Sequence, residues 1–271
     1  MPKRQDGQVR VEEHVVFGTG GGRDLHCDVF HPPVEGAGRP AVLLVHGGAW
    51  MQGDRTQLRG YGILLARYGI VCVASEYRLS GESLWPAQIH DVKAALRWLR
   101  ANAERLGVDP TRIVVSGNSA GAHLALMLAG LPSGELAGEM EGEGGTPGVP
   151  TDVAAVVAIY APTELRVAHP KDPIGLLLGG NVEREIEDAA SPIRYVHPGY
   201  PPTMLVHGNA DTVVPVEASF AMYHALVDAG APVELHVFDG EAHAFDTDPA
   251  LGRQVADLIA LFIERKVAPK R

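Results

Sequence analysis

Apolar β-branched runs alternate with amphipathic helical segments along most of the chain, and this alternation is the strongest constraint on its fold. The pattern starts at "PAVLLVHGG" and continues to a final helical segment near Pro249–Lys266. Regular alternation of this kind predicts a mostly parallel sheet of about eight strands with helices on both faces. Two earlier segments, "QVRVEEHVVF" and "DLHCDVFHP", alternate in polarity and predict an antiparallel pair at the N-terminal edge. The expected fold class is α/β.

Two stretches interrupt the alternation without indicating a second domain. The segment 132–152 is rich in Gly, Glu and Pro and lies between two core strand patterns, so we expect a mobile surface loop inserted in the domain. The segment 161–202 combines short helical pieces with many prolines, and we expect it to form a short cap-like wall over a site. We therefore expect residues 1–271 to form a single domain.

Composition is that of an ordinary globular protein, and the net charge argues against two classes of partner. A formal net charge of -10 argues against binding to nucleic acid or to anionic membranes, since both reward surplus Lys and Arg. No apolar run follows the first basic residues or reaches membrane-spanning length. Cys27 and Cys72 lie in strand patterns and are expected to be buried free thiols of a reducing compartment. We expect a cytoplasmic protein, and a homodimer is possible.

The stretch "RIVVSGNSAGAHLALMLAG" places a serine between a strand pattern and a helix pattern. Residues 117–121 fit the motif G-x-S-x-G, in which a sharp turn raises the serine hydroxyl above the carboxyl edge of a sheet. The free N–H groups of the following helix then lie beside Ser119. A glycine-rich turn without chemistry is the alternative, because the bare motif is common by chance.

A nucleophilic serine needs a base and an acid that orients the base. In strand–turn–helix sites of this type the chain order is Ser, then Asp or Glu, then His. Asp211 follows a strand pattern in "PPTMLVHGNADTVVPVEAS", and His243 follows the last one. Asp239 is the alternative acid. Three other histidines are expected to serve packing or support: His90, His207 and His224.

The loop "LLVHGGAWMQGDR" supplies small residues where donors for a negative oxygen are needed. The predicted oxyanion donors are the backbone N–H groups of Gly47, Gly48, Ala49 and Ala120. His46 is expected to be an architectural hydrogen-bonding residue. Trp50 and Asn118 are the candidate substrate-binding residues, with a core position for Trp50 as the alternative.

Several of these stretches together resemble one superfamily. They are "HGGAW", "EYRLSGESLWPAQIHDVKAALRWL", "GNSAGAHLAL", "HGNADTVVP" and "GEAHAF". The chain resembles the α/β-hydrolase superfamily, in the branch of small carboxylesterases related to hormone-sensitive lipase and to feruloyl esterase-like bacterial enzymes. The resemblance implies a serine esterase that uses neither a metal nor an organic cofactor.

Two departures from that branch bear on the substrate. Ala49 stands where the family commonly has a third Gly, and only a short segment precedes the first strand pattern where hormone-sensitive lipases carry a cap. A more open site is expected. The sequence predicts a serine carboxylesterase acting on small esters. The alternatives are an arylformamidase, which the chain also resembles, a peptidase-like hydrolase, or a non-catalytic ligand-binding protein of the same fold.

Overall fold

The computed structural model describes residues 3–131, 138–180 and 183–267, and within them eight strands form one sheet. The strands are β1 (Arg10–Gly20), β2 (Arg23–His31), β3 (Arg39–Val45), β4 (Val71–Ser75), β5 (Val108–Asn118), β6 (Ala155–Ile159), β7 (Thr203–Gly208) and β8 (Val233–Phe238). Their spatial order is β1-β2-β4-β3-β5-β6-β7-β8.

The direction of the strands separates the N-terminal edge from the rest of the sheet. β2 pairs antiparallel with β1 and with β4, whereas all pairs from β4 through β8 are parallel. The predicted mostly parallel sheet with an antiparallel N-terminal edge is therefore confirmed. Because parallel strands end on one side, the loops that follow β3, β5, β7 and β8 meet at a single edge.

Helices cover both faces of the sheet, as predicted. They are α1 (Arg59–Ala66), α2 (Ala87–Ala101), α3 (Ala103–Leu106), α4 (Ala120–Gly130), α5 (Pro173–Leu178), α6 (Arg184–Ala189), α7 (Glu217–Asp228) and α8 (Pro249–Lys266). One apolar cluster joins α2, α4 and α7 to the first face, and a second joins α1 and α8 to the opposite face. Short 3-10 turns occupy Arg55–Leu58, Gly138–Met140, Pro192–Tyr195 and Phe245–Thr247.

The central elements are apolar on every side because they are enclosed by other layers. All residues of β6 and α4 are buried, which is typical of a strand covered on both faces and of a helix without a solvent-facing stripe. Cys27 and Cys72 are free, buried thiols, as predicted. Burial raises the pKa of Cys27 to about 12.

The sequence "PAQIHDVKAALRWLRANAERLG" predicts one helix from Pro86 to about Gly107, but the structure interrupts it at Asn102. Its backbone there has φ -96° and ψ 10°, and its side-chain amide donates to the Trp98 carbonyl at 2.9 Å. An asparagine side chain that bonds to the preceding turn competes with the helical hydrogen bonds, so α2 stops and the short α3 follows. Gly107 then ends α3 in the left-handed conformation.

The insertion predicted at 132–152 can be followed from residue 138, and its first six residues lie outside the described part. Residues 138–152 lie on the surface but are held against α2. Lys93, whose side chain is fully buried, bonds to Glu141 at 2.8 Å, and Arg97 bonds to the Glu141 carboxylate at 2.8 Å. Two buried cations on α2 thus find their acceptors in this loop, which its composition alone did not indicate.

The described parts of the cap-like segment, 161–180 and 183–202, run from β6 to β7 beside the carboxyl edge of the sheet. This segment carries α5, α6 and the turn Pro192–Tyr195. No helix within the described ranges is long and apolar enough to cross a membrane.

Candidate active site

Ser119 lies at the sharp turn that links β5 to α4. Its backbone has φ 52° and ψ -121°, a combination that is strained for a residue with a side chain. The Ser119 N–H donates to the Ile159 carbonyl at 2.9 Å. The serine side chain is therefore held half-buried at the carboxyl edge of the sheet, at the start of a helix.

The glycines on either side of Ser119 are required by backbone packing. A Cβ at Gly117 would overlap the backbone of Gly121, and a Cβ at Gly121 would overlap the carbonyl oxygens of Val45 and His46. Strand, turn and helix can approach this closely only because neither residue has a side chain. The geometry of the turn is thus dictated by its packing against the end of β3 as well as by the motif.

The three side chains predicted to act together lie in one hydrogen-bonded line. His243 Nε2 is 3.0 Å from Ser119 Oγ, and His243 Nδ1 is 2.6 Å from Asp211 Oδ2. Asp211 follows β7 and His243 follows β8, so adjacent loops at the same edge bring them to the serine. The His243 side chain is 17% exposed, whereas that of Asp211 is fully buried.

Asp211 is held as a carboxylate by its hydrogen-bond donors. Burial by itself raises the pKa of Asp211, but the hydrogen bond to His243 and the N–H groups of Val214 and Val213 lower it below the usual value. Those backbone donors lie 2.9 and 2.8 Å from Asp211 Oδ1. Asp211 Oδ2 contacts His243 Nδ1 and lies 3.3 Å from His207 Nε2. A fixed carboxylate at Nδ1 directs Nε2 of the His243 ring toward the serine.

The alternative acid, Asp239, lies away from this line. Its carboxylate accepts from Asn209 Nδ2 at 3.0 Å, and no bond joins it to His243 in the described structure. His207 has the supporting place that the sequence predicted: Nδ1 contacts Ser219 Oγ at 2.7 Å and Nε2 contacts the Val214 carbonyl at 2.9 Å. Burial lowers the pKa of His207, so it supports the Asp211 loop as a neutral ring.

His90 and His224 lie on α2 and α7, as their pattern predicted. His90 Nε2 contacts the carbonyl of Glu139 at 2.6 Å, which helps to hold the inserted loop on α2. Neither histidine bonds to Ser119 in the part of the chain that the structure describes.

The loop after β3 presents backbone N–H groups beside the serine. Gly48 and Ala49 have φ +116° and +53°, and their N–H groups make no hydrogen bond within the described chain. Ala49 and Ala120 line the same cavity as Ser119. Of the four predicted donors, Ala49 and Ala120 line this cavity, whereas Gly47 and Gly48 do not.

His46 supports that loop from beneath, in the architectural position that the sequence predicted. It is fully buried, its Nδ1 lies 2.7 Å from the Gly47 carbonyl, and its ring stacks on Tyr77 at 4.2 Å. Tyr77 in turn donates from its hydroxyl to the His46 carbonyl at 3.1 Å. Burial lowers the pKa of His46, so a neutral imidazole holds this loop.

A cavity of about 640 Å³ opens beside Ser119 and is mainly apolar. Its wall is formed by the cap-like segment and by the start of α7, and it includes Pro162, Ile174, Ile193, Val214 and Ala221. Trp50 also lines this cavity although only 4% of it is exposed, so it is both core and pocket wall. Asn118 lines a second cavity, of about 500 Å³, between α1 and α8.

His123 is a supporting residue that the sequence analysis missed. It lies on α4, accepts from Trp50 Nε1 at 3.3 Å and donates from Nε2 to the Ala190 carbonyl at 2.8 Å. This side chain joins the serine helix, the cavity wall and the cap-like segment. The available signal was a lone histidine within the otherwise apolar stretch "AGAHLALMLAG".

The described residues contain no group of three or more His, Cys, Asp or Glu side chains arranged to hold a metal ion. The polar groups that converge on Ser119 are an imidazole, a carboxylate and backbone N–H donors. Such an arrangement can deprotonate a hydroxyl and stabilise a negative oxygen next to it.

Comparison with known proteins points to one group. The BD-FAE family model matches residues 27–226. Esterase LipC of Mycobacterium tuberculosis is 34% identical over 239 residues, which are 83% of this chain and 58% of LipC. The chain thus spans less than two thirds of the length of that relative.

Two solved structures share the fold over nearly the whole chain. A truncated carbohydrate esterase from gut microbiota has a TM-score of 0.83 and 25% identity, and covers 97% of this chain and 100% of its own. Thermogutta terrifontis esterase 2 phosphorylated by paraoxon has a TM-score of 0.77 and 27% identity, and covers 97% of this chain and 96% of its own.

The sheet topology, the sharp turn at Ser119 and these structural neighbours define an α/β-hydrolase, as predicted. The chain belongs to the BD-FAE family.

Proposed function

We propose that this protein is a serine carboxylesterase that hydrolyses small carboxylic esters through an acyl-enzyme. The observation that carries the proposal is the line of hydrogen bonds from Ser119 Oγ to His243 Nε2 and from His243 Nδ1 to Asp211. The names of LipC and of the two esterase structures support the same class of reaction.

In the first half-reaction Ser119 Oγ attacks the ester carbonyl carbon while its proton passes to His243 Nε2. The carboxylate of Asp211 stabilises the imidazolium that forms. The negative oxygen of the tetrahedral intermediate accepts hydrogen bonds from Ala120 and from the loop that contains Gly48 and Ala49. Collapse of the intermediate breaks the bond to the alcohol, which leaves with the proton from His243.

In the second half-reaction His243 takes a proton from water, and the resulting nucleophile attacks the acyl group on Ser119. A second tetrahedral intermediate uses the same N–H donors. It releases the carboxylic acid and restores the serine hydroxyl. Every proton and bond is accounted for by water and by these side chains, so the cycle requires neither metal nor cofactor.

The apolar cavity beside Ser119 favours an uncharged acyl group. Its charged lining residues are Glu164, Arg166, Asp172 and Glu217. The Arg166 guanidinium already bonds to Glu164 and, at 2.7 Å, to Asp188, so an anionic acyl group would meet surplus negative charge. We therefore infer a small neutral ester as substrate.

The two cysteines are buried free thiols, and from them we infer a reducing compartment such as the cytoplasm.

The test is the hydrolysis of p-nitrophenyl acetate by the wild type and by Ser119→Ala. We expect the variant to lose at least about a thousandfold in kcat while its unfolding transition is unchanged. Ser116→Ala, on the same strand, is the control and should retain activity. Wild-type activity in Ser119→Ala would overturn the proposal. A comparison of kcat/KM for acetyl, butyryl, feruloyl and N-formyl aryl substrates would then define the preferred bond.

A further inference from the structure

Tyr160 connects the serine turn to the loop that carries His243. Its hydroxyl donates to the carboxylate of Asp246 and accepts from Asn118 Nδ2 at 3.2 Å. Asn118 directly precedes Ser119, and Asp246 follows His243 in the same loop, after Ala244 and Phe245. One hydroxyl group therefore joins the two backbone segments that must hold the serine and the imidazole at a fixed separation.

The ring of Tyr160 also packs on the imidazole itself. The two ring centres are 4.6 Å apart at an interplanar angle of 56°, and Phe245 contacts the tyrosine edge-to-face at 5.8 Å. Such contacts restrict the orientation of the imidazole around its hydrogen bond to the carboxylate. Tyr160 is thus in contact with His243 at its ring and linked to the His243 loop at its hydroxyl.

The backbone of Tyr160 is held in an unfavourable conformation. Its φ is +41°, although it is a bulky residue with 1% exposure, and such a conformation persists only where surrounding contacts enforce it. The Tyr160 N–H donates to the Val206 carbonyl at 2.7 Å, on the strand that leads to Asp211. The residue therefore touches the segments that carry all three members of the hydrogen-bonded line.

The Tyr160 phenol stays protonated, and so remains a hydrogen-bond donor, at neutral pH. Burial, followed by the charge of Asp246, raises the pKa of Tyr160 well above its ordinary value. The Asp246 carboxylate also accepts from the Tyr61 hydroxyl on α1 at 2.7 Å. With two phenol donors, this carboxylate fixes the His243 loop to the body of the domain.

We propose that Tyr160 is a positioning residue for the reaction. Through its hydroxyl bonds to Asp246 and Asn118, and through its ring contact with His243, it sets the separation between His243 Nε2 and Ser119 Oγ. The inference depends on the proposed esterase function. It assigns to the loop after β6 a role that lies outside the Ser, His and Asp line.

The experiment compares Tyr160→Phe, Asp246→Ala and their double variant by steady-state hydrolysis of p-nitrophenyl acetate. Tyr160→Phe keeps the ring and removes only the hydroxyl bonds. We expect kcat to fall about tenfold to a hundredfold, since small misplacements of reacting groups are costly. KM should change by less than about threefold. The double variant should lose less than the product of the two single losses, because both changes break the bond between Tyr160 and Asp246, although each also breaks one bond of its own, to Asn118 or to Tyr61.

Tyr200→Phe is the matched control. Tyr200 is also buried, and its hydroxyl donates to the Leu126 carbonyl at 2.7 Å, on α4 and away from His243. We expect this variant to lose thermal stability to a similar extent as Tyr160→Phe while it keeps the wild-type kcat.

Two results would overturn the inference: a kcat for Tyr160→Phe within about twofold of wild type, or a loss in the double variant equal to the product of the two single losses. Failure of the esterase proposal looks different. In that case wild type and Ser119→Ala would hydrolyse the ester equally, before any change at Tyr160 is considered.

Discussion

The serine turn, residues 117–121, and the wall of its cavity are built by different means. The turn is enclosed by buried strands and by α4, and its glycines leave no room for a Cβ. The cavity wall comes from the short helices of the cap-like segment and from the residues before α7, where Val213 is 68% exposed. Backbone packing determines the first region, whereas side chains on short elements determine the second.

This difference assigns the chemistry of the proposed reaction to the serine turn and the choice of substrate to the cavity wall. A turn held by main-chain contacts presents the serine in the same position whatever the neighbouring loops contain, so under the proposed function one turn could serve many acyl groups. The wall residues can change without disturbing the core, and under the proposed function they would decide which acyl group fits. We therefore expect substitutions in the turn to affect folding and kcat, and substitutions in the wall to affect the choice of substrate.

The largest effect is expected for Gly121→Ala. The new methyl group would overlap the carbonyl oxygens of Val45 and His46, so β3 and α4 would have to separate. We expect a loss of at least about 3 kcal/mol in the free energy of unfolding, measured by urea denaturation. Any folded fraction should have a reduced kcat because Ser119 would be displaced.

Gly60→Ala is the matched control for that change. Gly60 lies in α1, and a Cβ there would meet no atom within 4 Å. The substitution should be neutral or stabilising, since alanine favours a helix. If Gly121→Ala were as stable as Gly60→Ala, the claim that backbone packing dictates the turn would fail.

An intermediate effect is expected at His123, which connects the two regions. Burial lowers the pKa of His123 from 6.5 to about 4, although the hydrogen bond to the Ala190 carbonyl opposes the shift. Between these values the unfolded chain binds a proton that the folded chain does not. The stability contributed by neutral His123 is thus complete above pH 6.5 and is lost as the pH falls toward 4. The full loss corresponds to about 3 kcal/mol.

The measurement is the free energy of unfolding of wild type and His123→Gln at several pH values in that window. The glutamine does not titrate, so the variant should lose less stability on acidification than the wild type. His46 and His207 also have lowered pKa values from burial and remain in both proteins. Their contribution therefore cancels in the comparison. Parallel curves for the two proteins would contradict the prediction.

The smallest effect is expected in the cavity wall, at Glu217. This exposed carboxylate lines the cavity at the start of α7. Glu217→Gln should raise kcat/KM for p-nitrophenyl monosuccinate by about twofold to fivefold, the range expected of exposed charges. The value for the neutral p-nitrophenyl butyrate should not change.

Salt provides the control for this electrostatic effect. The advantage of Glu217→Gln on the anionic ester should shrink at high ionic strength, because exposed charges are screened. An equal change for both esters would show that the substitution alters the shape of the cavity, not its charge.

The sequence predicted the fold and the line of three side chains because both leave local signals. Buried parallel strands appear as continuous apolar runs, and Ser119, Asp211 and His243 each follow such a run in the expected order. The carboxyl ends of parallel strands meet, so position along the chain was enough to bring these residues together. The break at Asn102 was missed because it depends on one side-chain hydrogen bond.

The supporting contacts could not be predicted in the same way. Tyr160 and Asp246 are 86 positions apart in the sequence, and neither belongs to a motif. Substrate binding by Asn118 stays a prediction, and the motif gave no signal that its side chain also lines the second cavity and donates to Tyr160. Such contacts depend on how loops from separate strands approach one another, which residue types and spacing do not encode.

The most direct test of the account is to locate the group that paraoxon transfers to this protein. If Ser119 is the nucleophile, paraoxon should release one p-nitrophenolate per active chain, abolish ester hydrolysis and leave a diethylphosphoryl group on the peptide that contains Ser119, as read by mass spectrometry. An active enzyme that stays unmodified at Ser119, or that carries the group on another residue while activity is lost, would contradict the account.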